Sequence, residues 1–185
     1  MTLQELQVIF PSATADTWHQ HPNGGGWVQN TARVDPSAFV ENNALVYGNA
    51  QVYGNAQVSG NAWVYGDAWV YGDAQVSGNA WVYGNARVYG DAWVSGNARV
   101  SGNAWEVSPL YIQGSAHALT VSSYGDITVG CETLTIAEWL KRYRAIGRLH
   151  GYTKAQIAEY GEYIKLATKY AKRVAAQSKK AQAAK

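Results

Sequence analysis

Cysteine occurs once in the 185 residues, at Cys131, so the chain can form no internal disulfide and no cysteine-based zinc centre. Histidine is almost as scarce. His19, His21, His117 and His150 are the whole supply, and none lies between residues 22 and 116. The opening MTLQELQVIFPS carries no basic start, and no apolar run is long enough for a signal peptide or a membrane span. The sequence therefore reads as a soluble, cytoplasmic chain with no membrane partner.

Charge of one sign is also scarce in each of two stretches. Residues 1 to 135 hold three basic side chains against ten acidic ones, whereas 136 to 185 hold twelve against three, so a net +2 conceals −7 followed by +9. At this length one domain with an appendage is expected, and the composition divides it into a cap at 1–25, a repeat at 26–130 and a basic helical region at 131–185.

What is abundant is periodic. From Ala44 to Asn103 the chain is ten unbroken copies of Ala-x-Val-[Tyr/Ser]-Gly-[Asn/Asp], and the residue after valine runs Tyr47, Tyr53, Ser59, Tyr65, Tyr71, Ser77, Tyr83, Tyr89, Ser95, Ser101. Six is nested inside eighteen, as in a coil with three walls that each receive one hexad per turn. Ala and Val, two apart on an extended segment, face one way and form the core, while x and Tyr/Ser face the other. The Gly-[Asn/Asp] pair supplies the corner. The register extends upstream through GWVQNT, ARVDPS and AFVENN, giving thirteen hexads, a little over four turns, from Gly26. Turns about 4.8 Å apart make a rod of roughly 20 Å. A weaker fifth turn is expected over 110–130, after the period slips beyond Trp105.

Valine and alanine at hexad spacing over about 26 to 130 resemble the hexapeptide-repeat superfamily, which implies a mainly β fold, a left-handed parallel β-helix of triangular eighteen-residue coils, here with a C-terminal α-helical appendage. The left hand comes from that resemblance alone, as do a homo-oligomeric state, with a trimer favoured, and the activities to test for. HPNGGGWVQNTARV followed by VYGNA copies also resembles bacterial and prophage proteins of unassigned role.

Caps are expected at both ends of such a rod. Thr2 and Glu5 have capping-box spacing before a short helix that could plug one end and that Pro11 stops. Thr135 and Glu138 repeat the spacing before a helix bearing Ile136, Trp139, Leu140, Tyr143 and Ile146 and ending near Gly151. Thr153 and Gln156 open a longer one with Ile157, Tyr160, Ile164, Ala167, Ala171 and Val174 on one face, and QSKKAQAAK is expected to fray.

Sorted by wall, the outward x positions are Trp27, Leu45, Trp63, Trp81 and Arg99 on wall one; Arg33, Gln51, Trp69, Arg87 and Trp105 on wall two; and Phe39, Gln57, Gln75 and Trp93 on wall three. Wall one also shows Tyr47, Tyr65 and Tyr83, wall two Tyr53, Tyr71 and Tyr89, and wall three Ser59, Ser77 and Ser95. Such an aromatic surface exceeds the roughly 300–600 Å² patch of an ordinary monomer. Either the rings stack between turns under partial cover from the C-terminal helices, or they bind. The binding set is Trp63, Trp69, Trp81, the six tyrosines, Arg87 and Arg99, a hot-spot mixture, with Ser59, Ser77 and Ser95 allowing close oligomer packing.

The resemblance implies acyltransferase or carbonic-anhydrase chemistry, and the residues argue against both. Three zinc-binding histidines between coils are missing, and the hexads carry neither a catalytic histidine nor an inserted loop. Ser115 and His117 in GSAHA show no acidic orienter. His19 and His21 lack further ligands, NGGGW is not a phosphate loop, and Asp67, Asp73 and Asp91 read as solvated corners. No catalytic residue, metal or cofactor is assigned. Lys141, Arg142, Arg144, Arg148, Lys165, Lys169, Lys172 and Arg173 could meet phosphates, although a solvated helix face, steered toward the acidic rod, is the simpler reading of them.

The expectation is a non-enzymatic binding or assembly module. Its more specific form is a phage- or prophage-encoded protein that binds and blocks a host protein complex, including a defence complex. A self-assembling particle or surface protein and a hexapeptide-type acyltransferase are the alternatives.

Overall fold

The computed structural model describes residues 1–102, 104–105 and 107–183. Two compact units share the chain: residues 1–97 with 101–108, and 98–100 with 109–185.

The first unit is a β-solenoid of about four turns. Its strands are only two or three residues long and pair in parallel at a separation of eighteen, as in Leu45↔Trp63↔Trp81, Gln51↔Trp69↔Arg87 and Gln57↔Gln75↔Trp93. The three walls read from the hexads are therefore three parallel sheets. Inside them every repeat alanine from Ala44 to Ala98 and every valine from Val40 to Val100 is buried. The turns are joined by ladders in which an N–H reaches forward, as Leu45 does to the Ala62 carbonyl at 3.0 Å and Tyr47 to that of Val64 at 3.0 Å. At the corners glycine adopts positive φ, as at Gly78 with φ 71°, where an added Cβ would stand 3.0 Å from the Gly96 backbone of the next turn. The corner amides stack too, Asn61 Nδ2 donating to Asn79 Oδ1 and Asn79 Nδ2 to Asn97 Oδ1, each at 3.1 Å.

Forward-reaching N–H groups leave the first coil's carbonyls without donors from below. Residues 18–26 supply them, the strand Trp18–Gln20 running antiparallel along Trp27–Gln29 and the turn after it serving the other two walls. Gly26 N–H donates to Val40 O at 2.8 Å, Asn23 Nδ2 to Ala38 O at 3.0 Å, and the His21 Nε2–H to Asp35 O at 3.1 Å, with His21 Nδ1 accepting from Asn23 N at 3.3 Å. NGGG is thus the plug, and a Cβ at Gly24 would collide with the Val40 carbonyl. The first coil departs from Tyr/Tyr/Ser for a related reason: oxygens of Gln29, Asp35 and Glu41 accept the corner N–H groups of Gly48, Gly54 and Gly60 in the next turn.

Helix α1 (Leu3–Ile9) has the expected Thr2/Glu5 capping box, but it does not plug the coil. It lies outside wall one, where Leu6, Ala13, Trp18, Trp27 and Leu45 form a second small core with Phe10, Tyr47 and Trp63 packed against it.

The far end differs from expectation at two places. Trp105 is not an outward wall-two residue: Ala104 pairs with Arg87 and Trp105 with Val88, so this turn is one residue short and the indole is fully buried in a valine position. The slip comes before Trp105, not after it. Residues 110–130 do not form a fifth turn. Tyr111–Gln113, Ala118–Val121, Asp126–Val129 and Glu132–Thr135 make an antiparallel four-stranded meander in the second unit. The parallel coil therefore ends at Trp105, and the repeat boundary at residue 130 moves back accordingly.

Helix α2 (Ile136–Leu149) starts at the predicted Thr135/Glu138 capping box and buries Trp139, whose Nε1 donates to Ile127 O at 2.7 Å. Gly151, with φ 72°, follows its end. Helix α3 (Lys154–Ala183) buries Tyr160, Ile164, Ala167, Ala171 and Val174 as the spacing requires. The stretch expected to fray is helical through Ala183, and residues 184 and 185 lie outside the described residues. No helix is long and apolar enough to cross a membrane among the described residues.

Candidate functional site

On wall one the aromatic residues are ladders. Tyr47, Tyr65 and Tyr83 stack with ring centroids 4.9 and 5.3 Å apart and planes within 10° of parallel, and Trp63 stacks on Trp81 at 5.2 Å and 7°. Wall two continues the pattern with Tyr71 on Tyr89 at 5.1 Å and the Arg87 guanidinium 5.0 Å over the Trp69 ring. Tyr53 donates its hydroxyl to Gln51 Oε1 at 2.6 Å. Stacking covers ring faces and leaves edges outward, so the rings are half-buried rather than displayed. Phe10 closes the foot of wall one, with its centroid 5.0 Å from Tyr47 and 6.2 Å from Trp63. Burial, reinforced by Tyr65 nearby, pushes the Tyr47 phenol well above its ordinary range. The structure thus gives most of the predicted contact residues a packing role inside the rod. Arg99 is half-buried on its strand.

Wall three is different, and the spacing argument undervalued one of its residues. Trp93 is 57% exposed, the most open of the aromatic wall residues. Its Nε1 donates to Ser77 Oγ at 3.0 Å, and its backbone N–H, lacking a carbonyl in a further turn, is taken by Ser108 Oγ at 2.9 Å. Ser59, Ser77 and Ser95, half-buried beside exposed Gln57 and Gln75, keep the wall low around the indole. A tyrosine at 77 would fill the place where that indole bonds.

The second unit holds the histidine that sequence reasoning set beside Ser115. The two are engaged separately. Ser115 Oγ donates to Glu159 Oε2 at 2.5 Å and its N–H to Glu159 Oε1 at 2.9 Å, which holds that carboxyl below its ordinary range. His117 Nδ1 instead meets the Tyr152 hydroxyl at 2.6 Å, with the two rings stacked at 5.7 Å. Burial, and then the neighbouring Tyr160, pushes the Tyr152 phenol up to about 12. Tyr160 clamps the same loop: its hydroxyl donates to His117 O at 2.6 Å and accepts from His117 N at 2.5 Å. A cavity of about 50 Å³ lies alongside, lined by His117, Cys131, Trp139, His150 and Tyr152 among others, with His150 Nε2 3.4 Å from Glu132 Oε1. The Glu159 contact was invisible in sequence because it spans 44 residues.

Among the described residues no group of three or more His, Cys, Asp or Glu side chains could hold a metal ion. His19 Nδ1 pairs with Asn30 Oδ1 at 2.7 Å while His21 serves the plug, so the two do not converge. Asp67 and Asp73 accept the corner amides of Asn49 and Asn55.

No curated protein and no solved structure matches the chain. The repeat itself is similar to one family, the YdcK beta solenoid repeat, whose model matches residues 56–72, 74–90, 80–96 and 92–107.

Proposed function

We propose that the protein is a non-enzymatic module for binding and assembly, and that its working surface is wall three around Trp93. The observation that carries this reading is the contrast between walls: wall one is locked in ladders, whereas Trp93 stands 57% exposed above a row of serines. A large amphipathic indole on a low, flat surface is the usual centre of a protein contact. The first partner proposed is a second copy of the chain, in the trimer that the hexapeptide resemblance implies. In its more specific form the assembled rod binds and blocks a host protein complex on behalf of a phage.

An acyl-transfer reading would need His117 to accept a proton from a neighbouring hydroxyl, and the Ser115 hydroxyl is given instead to Glu159 while His117 Nδ1 meets Tyr152. Light scattering during size-exclusion chromatography tests the assembly: a trimer of about 60 kDa is expected, and Trp93→Ala should dissociate it. A wild-type monomer that retrieves no host protein would overturn the reading, as would a Trp93→Ala variant that assembles and binds unchanged. Trp63→Ala with Trp81→Ala is the stability control, because those rings hold each other.

A further inference from the structure

Seven cations of α3 fall on one line. At 3.6 residues per turn, Lys154, Lys165, Lys169, Lys172, Arg173, Lys179 and Lys180 occupy a sector of about 120°, and the stretch they span is about 39 Å long. The sector lies opposite the buried Tyr160, Ile164, Ala167, Ala171 and Val174, and all seven side chains are exposed. Ordinary solvent-facing helices intersperse both signs, with carboxylates three or four residues from each cation. Here, among the described residues, only Lys165 has one, Glu162 Oε1 at 2.7 Å. Arg173 is held over the Tyr170 ring at 5.3 Å and is itself exposed.

The candidate occupants can be separated by chemistry. The acidic solenoid of a second copy is a poor one: Asp35, Glu41, Asp67 and Asp73 are fixed in hydrogen bonds to corner N–H groups and amides, and Glu5 closes its capping box. A single nucleic-acid strand would want exposed rings on which bases stack, and the sector carries none. A membrane surface would want apolar side chains flanking the cations on both sides, whereas Leu166 is the one large apolar residue bordering this line. What remains is a rigid polyanion met by charge alone.

We propose that the exposed face of α3 binds the phosphate backbone of duplex nucleic acid without reading its sequence. A line of about 39 Å runs alongside roughly eleven base pairs at 3.4 Å each. A straight helix meets a spiralling backbone along part of its length, so three to five phosphate contacts are expected.

The test is fluorescence anisotropy of the full chain with a labelled 24-base-pair duplex between 50 and 200 mM salt. At about 0.9 counterions released per contact, log K should fall against log salt with a slope of roughly −2.7 to −4.5. Two unrelated sequences should bind equally. Lys169→Gln with Lys172→Gln and Arg173→Gln should weaken binding at least tenfold and shallow the slope by about 2, with helix content by circular dichroism unchanged. Absence of binding at 50 mM salt would overturn the proposal. So would a triple variant that binds as the wild type does, or tighter binding to vesicles containing phosphatidylserine than to the duplex. One copy of α3 makes all these contacts, so the triple variant should keep the wild-type mass by light scattering while losing duplex binding, which keeps this test separate from the assembly reading.

Discussion

Gly78→Ala and Gly84→Ala make the same chemical change in two corners with nearly equal backbones, at φ 71° and 60°. Only their neighbours differ. An alanine Cβ at 78 meets the Gly96 N and O atoms at 3.0 Å, while at 84 nothing lies within 4 Å. A left-handed residue with a Cβ costs about 1–2 kcal/mol, and the stiffer unfolded chain returns about 0.4–1 kcal/mol, so Gly84→Ala should lose roughly 0–1.6 kcal/mol. Gly78→Ala carries an added overpacking cost of about 1–3 kcal/mol, because backbone pressed on backbone cannot turn aside. At about 2–4 °C per kcal/mol for a chain of this size, it should melt roughly 2–12 °C below Gly84→Ala. Tryptophan fluorescence reports this unit selectively, since every tryptophan except Trp139 lies at or before Trp105. Equal melting points for the two variants, or a lower one for Gly84→Ala, would refute the claim that the spacing between turns is set by bare corner backbones.

Phe10→Ala should destabilise the solenoid by about 2–4 kcal/mol, as for a large aromatic truncated in a small core, and should let the Tyr47 phenol, raised by burial, titrate nearer its ordinary value of 10.0; ultraviolet titration reads the second effect. Tyr160→Phe leaves the backbone groups of Ala116 and His117 without their hydroxyl partner, and a loss of about 1–3 kcal/mol should appear as faster amide exchange at those two residues. Glu138 is held below its reference value of 4.5 by the side chain and then the backbone of Thr135. A depressed carboxyl stabilises the fold above its unfolded value and ceases to as pH falls through the folded one, so melting points should drop from about pH 4.5 downward, and Glu138→Gln should make that drop shallower. A variant with an unaltered acid profile would show that the capping box does not contribute.

The hexads were legible because each position does one thing: Val58 and Ala62 point inward wherever the copy falls, and a separation of eighteen follows from Tyr, Tyr, Ser. The helix starts were legible from pairs such as Thr135 and Glu138, which close a four-residue span and need no distant partner. Residues 110–130 misled because alternation such as Ile127-Thr128-Val129 has period two in a parallel coil and in a hairpin alike, and only pairing partners separate them. Trp105 misled through a one-residue shortening that reverses inward and outward. For the candidate surface, sorting by wall placed every aromatic residue but Trp105 in the right column. It could not show that rings spaced by one turn would cover each other, nor that Ser77 is small where Trp93 lies down.

The register at eighteen makes the solenoid a ruler graduated in whole coils. Excising residues 62–79 would join Asn61 to Ala80, set Trp81 beneath Phe10 where Trp63 now lies, and shorten the stack by one step of about 4.8 Å with every later column preserved. Excising only 62–67 would instead carry each later hexad onto the preceding wall, placing Ser77 above Tyr53. Length in such a chain can be edited, by an experimenter or by unequal recombination between its copies, in units of three hexads.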